Sequence, residues 1–336
     1  MAATIKDVAT RARVSTASVS RVLNGTGAVT ELTRQRVLRA AQHLRYTPHE
    51  AARSLITRRT RTIGVLLPDI HGEYFSELIR GIDRAARQRG LQLLVSSSHG
   101  DAGEAALALR AMNGRVDGVL AMSPYLDAKS LDAALPSTLP AVLLNTPEDA
   151  DRSPAFVIDD FGGAAAMVEH LRALGYRRIA HIAGPEGNYE SAERLRGFHA
   201  ALGRAMSARA VVVAGNFTEE SGYQAGLQFA AAEARPDAIF AANDMMAIGC
   251  LLALRDSHVR VPEDMALAGF DDIPIARYIS PPLTTVRAQI TELGRQSLEE
   301  LARSIEDRES VRPERHTLST QLVIRESCGA ARQSAR

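Results

Sequence analysis

Ser15-Thr16-Ala17-Ser18-Val19-Ser20-Arg21-Val22-Leu23-Asn24 is the stretch on which the fold turns. A helix begun by Ser15 as N-cap places Val19, Val22 and Leu23 on one face. Ala17, Ser20 and Arg21 project from the other, with Thr16 at its edge. An outward face this small and polar can enter a DNA major groove, where an arginine reads the two acceptors of guanine. Upstream, Thr4 is a helix cap with Asp7 three residues on, and Ile5, Val8, Ala9 and Ala12 recur at i, i+3, i+4 and i+7. Arg13-Val14-Ser15 leaves room only for a tight turn between the two helices. Thr30 caps a third, expected to turn Val37, Leu38, Ala41 and Leu44 inward. Three short helices joined in this way predict a helix-turn-helix.

The alternative, a generic three-helix fragment whose serines and threonines only solubilise it, is opposed by charge. Met1 to Arg61 carries 12 Lys+Arg against 3 Asp+Glu, net +9, which leaves 28 against 36, net −8, for the rest. The overall +1 therefore hides a basic head on an acidic body, as expected of a nucleic-acid-binding module joined to something else. A length of 336 residues with 46% apolar composition implies two or three domains with sizeable cores. Lys6 and Asp7 interrupt any signal-peptide pattern, and no run approaches the roughly 18 apolar residues of a membrane helix. The expectation is a cytoplasmic protein without a membrane partner.

From Thr62 the chain alternates short apolar runs with amphipathic stretches. The runs are 63–67, 91–95, 118–121, 141–144, 156–158, 179–182, 211–213, 238–240 and 266–268; the stretches include 75–89, 162–174, 192–202 and 245–254. Such alternation predicts βαβ units and parallel sheets, and so many strands predict two lobes with a ligand cleft where loops leave the carboxyl ends of the strands. Tyr74 and Phe75 follow the first strand in a chain with no Trp and 4% aromatics. They could stack on a sugar ring or base; for Phe75, packing at a helix start is the competing reading. Cys250 lies in the apolar run Ile248-Gly249-Cys250-Leu251-Leu252 and Cys328 in the C-terminal tail, and burial and chance explain them better than metal or disulfide chemistry. Nine scattered His show no metal-ligand spacing, and G-x-S-x-G, H-E-x-x-H, Walker and G-x-G-x-x-G patterns are lacking. Asp159-Asp160 and Asp271-Asp272 point successive side chains in different directions, as turns do. No catalysis, cofactor or metal is expected.

Ile5-Lys6-Asp7-Val8-Ala9, Val14 to Asn24, Tyr46-Thr47-Pro48 and Ala51-Ala52-Arg53-Ser54-Leu55 together resemble the head of the lactose/galactose repressor (LacI/GalR) family. The resemblance implies that Thr16, Ala17 and Arg21 read bases, while Thr4, Ser15, Ser18, Asn24, Thr30 and Thr33 contact backbone phosphate and set register. It implies a hinge helix with Ala52 and Leu55 at the minor groove, Leu55 as a wedge that kinks the duplex. On the residues alone, 49–56 is too short to be a stable helix. It could order only against DNA and a second copy of itself, or be a plain linker with Leu55 packed on the next domain.

The resemblance continues through the body, implying a fold like the periplasmic sugar-binding proteins, with crossings between lobes near 159–163 and 289–293. Arg194, Asn243 and Asp271 match effector positions, with Asn145, Asp159 and Phe217 as further candidates. Asp244 and Asp272 could equally be caps or turns. Asn243 is the residue type of sugar-responsive members, whereas Asn188 stands where the purine-responsive member has an arginine. Ala288-Gln289-Ile290 departs from the glutamine-proline step of many members.

The expected architecture is an all-α helix-turn-helix head (1–47), a hinge helix and linker (48–61), and a two-lobed α/β body (62–325), with one lobe 62–160 and 292–325 and the other 161–291. Residues 326–336 form a polar tail without the apolar heptads that zip dimers into tetramers. The expected function is a repressor that binds a palindromic double-stranded operator as a homodimer. A small-molecule effector, a sugar or sugar derivative, would control it. The alternatives are a nucleoside or purine effector, or a sugar receptor without DNA function, which the basic head opposes.

Overall fold

The structure, a computed structural model, describes residues 3–24, 28–46, 59–126, 128–147, 152–307 and 312–330. It divides into two units, Met1–Thr60 and Arg61–Arg336. The expected hinge residues Ala52 and Leu55 lie outside the described residues.

The first unit has helices α1 (Ile5–Ala12), α2 (Thr16–Asn24) and α3 (Glu31–His43). Thr4 and Asp7 close a full capping box on α1, and hydrogen bonds from Thr4 hold the Asp7 carboxyl below its ordinary pKa. Arg13 ends α1 in the left-handed region, φ 53°, which turns the chain within three residues into α2. Ser15 accepts from Ser18 N at 3.1 Å as the cap of α2. Val8, Ala9, Ala12, Val19, Val22, Val37, Ala40 and Ala41 form the core. Leu38 corrects the expected pattern: it is 49% exposed, and Ala40 takes the inward place. The buried face of α3 runs Val37, Ala40, Ala41 and the half-buried Leu44, one helical stripe from which Leu38 lies about 100° away.

The second unit has two lobes. In the first, β1 (Thr62–Leu67), β2 (Gln92–Ser97), β3 (Gly118–Met122), β4 (Ala141–Leu144), β5 (Ala155–Ile158) and β11 (Arg315–Leu318) form a parallel sheet ordered β11-β5-β4-β3-β1-β2. Helices α4 (Glu73–Gln88), α5 (Ala102–Met112), α6 (Ala128–Ala134) and α12 (Ile290–Glu306) accompany it. In the second lobe, β6 (Ile179–Ala183), β7 (Val212–Ala214), β8 (Ala238–Ala241) and β9 (Ala266–Ala268) form a parallel sheet ordered β7-β6-β8-β9. Its principal helices are α7 (Asp160–Ala173), α8 (Tyr189–Leu202), α10 (Glu219–Ala231) and α11 (Asp244–Asp256); α9 (Arg204–Ser207) is a single turn. Strands β10 (Thr285–Arg287) and β12 (Gln321–Val323) pair antiparallel beside it. Helices α10 and α11 meet backbone to backbone: a Cβ on Gly249 would stand 1.9 Å from the Glu219 carbonyl oxygen.

The chain passes between lobes after β5 and after β10, and a third time between β11 and β12. Residues 321–325 therefore belong to the second lobe rather than the first, and the expected polar tail begins inside a core. Ser327 and Cys328 are fully buried. The Ser327 hydroxyl donates to Leu267 O at 2.6 Å and accepts from Thr284 N at 2.8 Å, while Arg325 reaches Asp272 at 2.5 Å. Among the described residues no helix is long and apolar enough to cross a membrane.

Candidate functional site

In the head, α2 presents Thr16, Ala17 and Arg21 exposed, as its spacing requires. Ser15 and Ser18 share a 3.0 Å contact between hydroxyls at the start of the same helix. Thr30 caps α3 through Thr33 N at 3.4 Å, and the Thr4 hydroxyl donates to Asp7 at 2.7 Å. These caps set the helix N-termini, the natural positions for anionic phosphate oxygens. Asn24 ends α2, and its side chain lies outside the described residues.

In the body, loops from both sheets converge on a cavity of about 100 Å³. Tyr74, Phe75, Arg194, Phe217, Asn243 and Asp271 line it, together with Asp69, His71, Glu190 and Glu219. Three residues of the site follow a strand and take positive φ: Asn145 after β4 (48°), Phe217 after β7 (69°) and Asp271 after β9 (113°). Such backbone is uncommon for residues other than glycine and costs on the order of 1–3 kcal/mol where strained. Phe217 and Asp271 thereby line the cavity, while Asn145 sits behind the lining and bonds to Tyr74 and Glu190.

Arg194, 2% exposed, is the hub. Its Nε donates to Asp160 at 2.7 Å and its Nη1 to Ala242 O at 2.6 Å. Asp271 Oδ1 forms an ion pair with Nη2 at 3.2 Å, and the guanidinium lies 4.0 Å over the Phe270 ring. Burial opposes the arginine's charge, but Asp160, Asp271 and Glu190 together hold its pKa above the ordinary value. Burial likewise raises the carboxyls of Asp160 and Asp271 against the pull of Arg194.

Glu190 and Asn145 join the two lobes. Asn145 Nδ2 donates to Glu190 Oε1 at 2.6 Å and to the Tyr74 hydroxyl at 3.0 Å, and Tyr74 donates to the same Glu190 oxygen at 3.3 Å. Burial, then the charge of Asp160, pushes the Glu190 carboxyl up to about 8. Burial foremost also raises the Tyr74 phenol well above its ordinary value. Further interlobe bonds run from Tyr189 N to Pro124 O at 3.0 Å, from Arg315 to Tyr189 Oη at 3.0 Å, and from Ile275 N to Glu73 at 3.1 Å.

Not every expected residue reaches the cleft. Asp159 caps α7 through Gly162 N at 2.9 Å, and its neighbour Asp160 is the carboxylate that grips Arg194. Asn243 lines the cavity while capping α11 through Met246 N and donating to Phe217 O, both at 3.0 Å. Phe75 meets Tyr74 edge to face with ring centroids 5.4 Å apart, so it both packs and lines. Asn188 is spent as the cap of α8, accepting from Ser191 N at 2.9 Å. Asp272 is an ion-pair partner of Arg287 and Arg325, and Asp244 is buried, accepting from Thr285 Oγ1 at 2.6 Å and Ile273 N at 3.0 Å. Sequence reasoning missed Glu190 and Asp160. For Glu190 the signal was present: it stands four residues before Arg194, on the same helical face.

Residues 4–49 match the family described as "Bacterial regulatory proteins, lacI family", and residues 168–328 match "Periplasmic binding protein-like domain". The transcriptional regulator CelR of Thermobifida fusca is 36% identical over 339 residues, spanning 96% of this chain and 98% of its own. The chain belongs to the LacI family of bacterial regulators. The LacI-family repressor PurR of Photobacterium profundum is 34% identical, spanning 97% of this chain and 98% of its own. Among solved LacI-family structures, the Lac repressor dimer bound to operator and the anti-inducer ONPF superposes with TM-score 0.86 at 29% identity, covering 98% of this chain and 99% of that one. The CelR–cellobiose complex superposes with TM-score 0.70 at 32% identity, covering 97% and 99%. Head, two-lobed body and parallel sheets are thus those of a LacI-family transcriptional regulator.

Proposed function

We propose that this chain is a transcriptional repressor that binds a near-palindromic operator as a homodimer and is switched by a sugar or sugar derivative in the body cleft. In this reading Thr16, Ala17 and Arg21 read base edges, while Thr4, Ser15, Ser18, Asn24, Thr30 and Thr33 hold phosphate. Ala52 and Leu55 enter the minor groove. Tyr74, Phe75, Asn145, Arg194, Phe217, Asn243 and Asp271 receive the effector, and Asp159 acts through its cap on α7. The protein works in the cytoplasm.

The observation that carries the effector reading is the composition of the cleft: an aromatic pair beside carboxylate, amide and guanidinium groups, the set that satisfies hydroxyls able both to donate and to accept. A purine effector has less support, because Asn188 stands where the purine-responsive member of the family has an arginine. The relatives divide on this point, CelR having been solved with cellobiose and PurR bearing a purine-repressor name.

The test is selection of operators from random duplex DNA by the full chain, followed by binding to the selected site with and without a panel of sugars and nucleosides. A palindromic site whose affinity changes with a sugar supports the proposal. Selection of no defined sequence refutes the DNA reading, and a response to nucleosides alone refutes the sugar reading.

A further inference from the structure

Acidic side chains outnumber basic partners in the cleft. Asp69, Glu219 and Asp271 line it, with Asp160 behind Arg194 and Glu190 held neutral by burial, against the single guanidinium of Arg194. Arg194 already carries an ion pair to Asp160 and a close contact to Asp271, and a third nitrogen is taken by Ala242 O. An anionic ligand could use that guanidinium only by displacing a carboxylate that is itself buried, and an uncompensated buried charge is costly. Acceptors are also in surplus. Asp271 Oδ1, Asp160 Oδ2 and Asn145 Oδ1 are buried without a hydrogen-bond partner among the described residues. Groups of this kind are satisfied by donors, not by a phosphate or carboxylate that only accepts.

Resting on the carbohydrate reading above, we infer that the cleft selects effectors without negative charge, and that Asp271 and Asp160 enforce this by pre-empting Arg194. The effector class is an underivatised or amine-bearing sugar, and phosphorylated sugars and uronates are rejected. Rejection here is electrostatic rather than steric. The buried part, from Asp271 and Asp160, is little screened, and the exposed and half-exposed carboxylates at the rim, Asp69 and Glu219, add a smaller part that salt weakens.

The experiment is calorimetric titration of the full chain with ribose, glucose, galactose and cellobiose, each beside its phosphate or uronate derivative, at low and high sodium chloride. Whichever scaffold binds, its anionic derivative is expected to bind about 10- to 100-fold more weakly, the scale of one unmatched charge roughly 6–12 Å away at an effective dielectric near 20. The gap is expected to narrow at high salt, and to narrow also in the double variant Asp69→Asn, Glu219→Gln, whose residues sit at the exposed rim. An anionic derivative that binds as tightly as its parent at low salt overturns the inference, and a gap unchanged by salt and by the double variant supports it with the buried pair as its whole source. Should only nucleosides bind, the carbohydrate reading fails by itself. The charge inference is then judged on the nucleoside against its 5′-monophosphate in the same way.

Discussion

Glu190→Gln isolates the proton at the centre of the cleft. Glutamine keeps an oxygen to accept from Asn145 and Tyr74, so the geometry that joins the lobes persists, while the titrating group is lost. In the wild type, burial raises this carboxyl from 4.5 to about 8, so between these values the folded state holds a proton that the unfolded state has released. Stability must therefore fall as pH rises through that window and level off above about 8. The upper bound, from the displacement at 1.36 kcal/mol per pH unit, is about 5 kcal/mol. The variant lacks this loss, so its stability relative to wild type should climb between pH 5 and 8, by on the order of 2–4 kcal/mol. Urea unfolding followed by circular dichroism, read on the transition of the body, measures it. Asp244, which burial pushes up to about 7, titrates in both proteins and cancels in the difference. Wild-type and variant profiles that run parallel from pH 5 to 9 would refute the reasoning, since Glu190 would then be ionised throughout.

Three further outcomes follow from other parts of the molecule. Arg21→Ala should cost about 1–3 kcal/mol at one operator base pair and relax preference there, measured by affinity for a set of single-base operator variants; uniform weakening on all sequences would make Arg21 a phosphate contact. Gly249→Ala forces a methyl into the Glu219 carbonyl and should destabilise the second lobe by about 1–3 kcal/mol or more, seen as a lower urea midpoint; an unchanged midpoint would mean that α10 and α11 separate freely. Ser327→Ala leaves Thr284 N without its acceptor and should cost about 1–3 kcal/mol in the same assay, whereas a neutral result would restore the segment after 325 to a loose tail.

How much the sequence disclosed depends on the range of the interaction that fixes each feature. Caps and apolar spacing are local, so Thr4, Ser15 and Thr30 were legible, as were the nine strands that open βαβ units. Leu38 was misassigned because adjacent apolar residues leave a helix face ambiguous by about 100°, and only packing against α1 and α2 selects Ala40. Strands β10, β11 and β12 are three or four residues long and carry polar residues such as Arg287, His316 and Gln321, so no periodicity marks them. Their partners lie far away in sequence. Ser327 and Cys328 looked like tail for the same reason: Ser327 bonds to Leu267 and Pro282, and Cys328 to Tyr176 and His170, all far away in sequence. In the cleft, Arg194 came from a resemblance, whereas Asp160 was hidden beside Asp159, since either carboxylate can cap α7 and the fold chooses.

The same cleft shows why a switch can be built from so few groups. Asn145 in the first lobe and Asp160 and Asp271 in the second each keep a buried acceptor without a partner, and Asn145 and Asp271 also take positive φ. An unsatisfied buried acceptor costs about 1–3 kcal/mol, so the site is poorer in stability than its surroundings. A polyol that donates to acceptors of both lobes recovers that cost only in the arrangement that brings them within reach of one ligand. Its affinities for the two arrangements then differ by about the worth of one or two such bonds, which is the usual size of an allosteric coupling, 1–3 kcal/mol. A ligand confined to one lobe would gain the same bonds in either arrangement and shift nothing, however tightly it bound. On the proposed reading of the cleft, effector action requires contacts on both sides of the Asn145–Glu190 bridge, and a sugar that engages only Arg194 and Asp271, leaving Asn145 and Tyr74 to Glu190, is expected to bind without altering operator affinity.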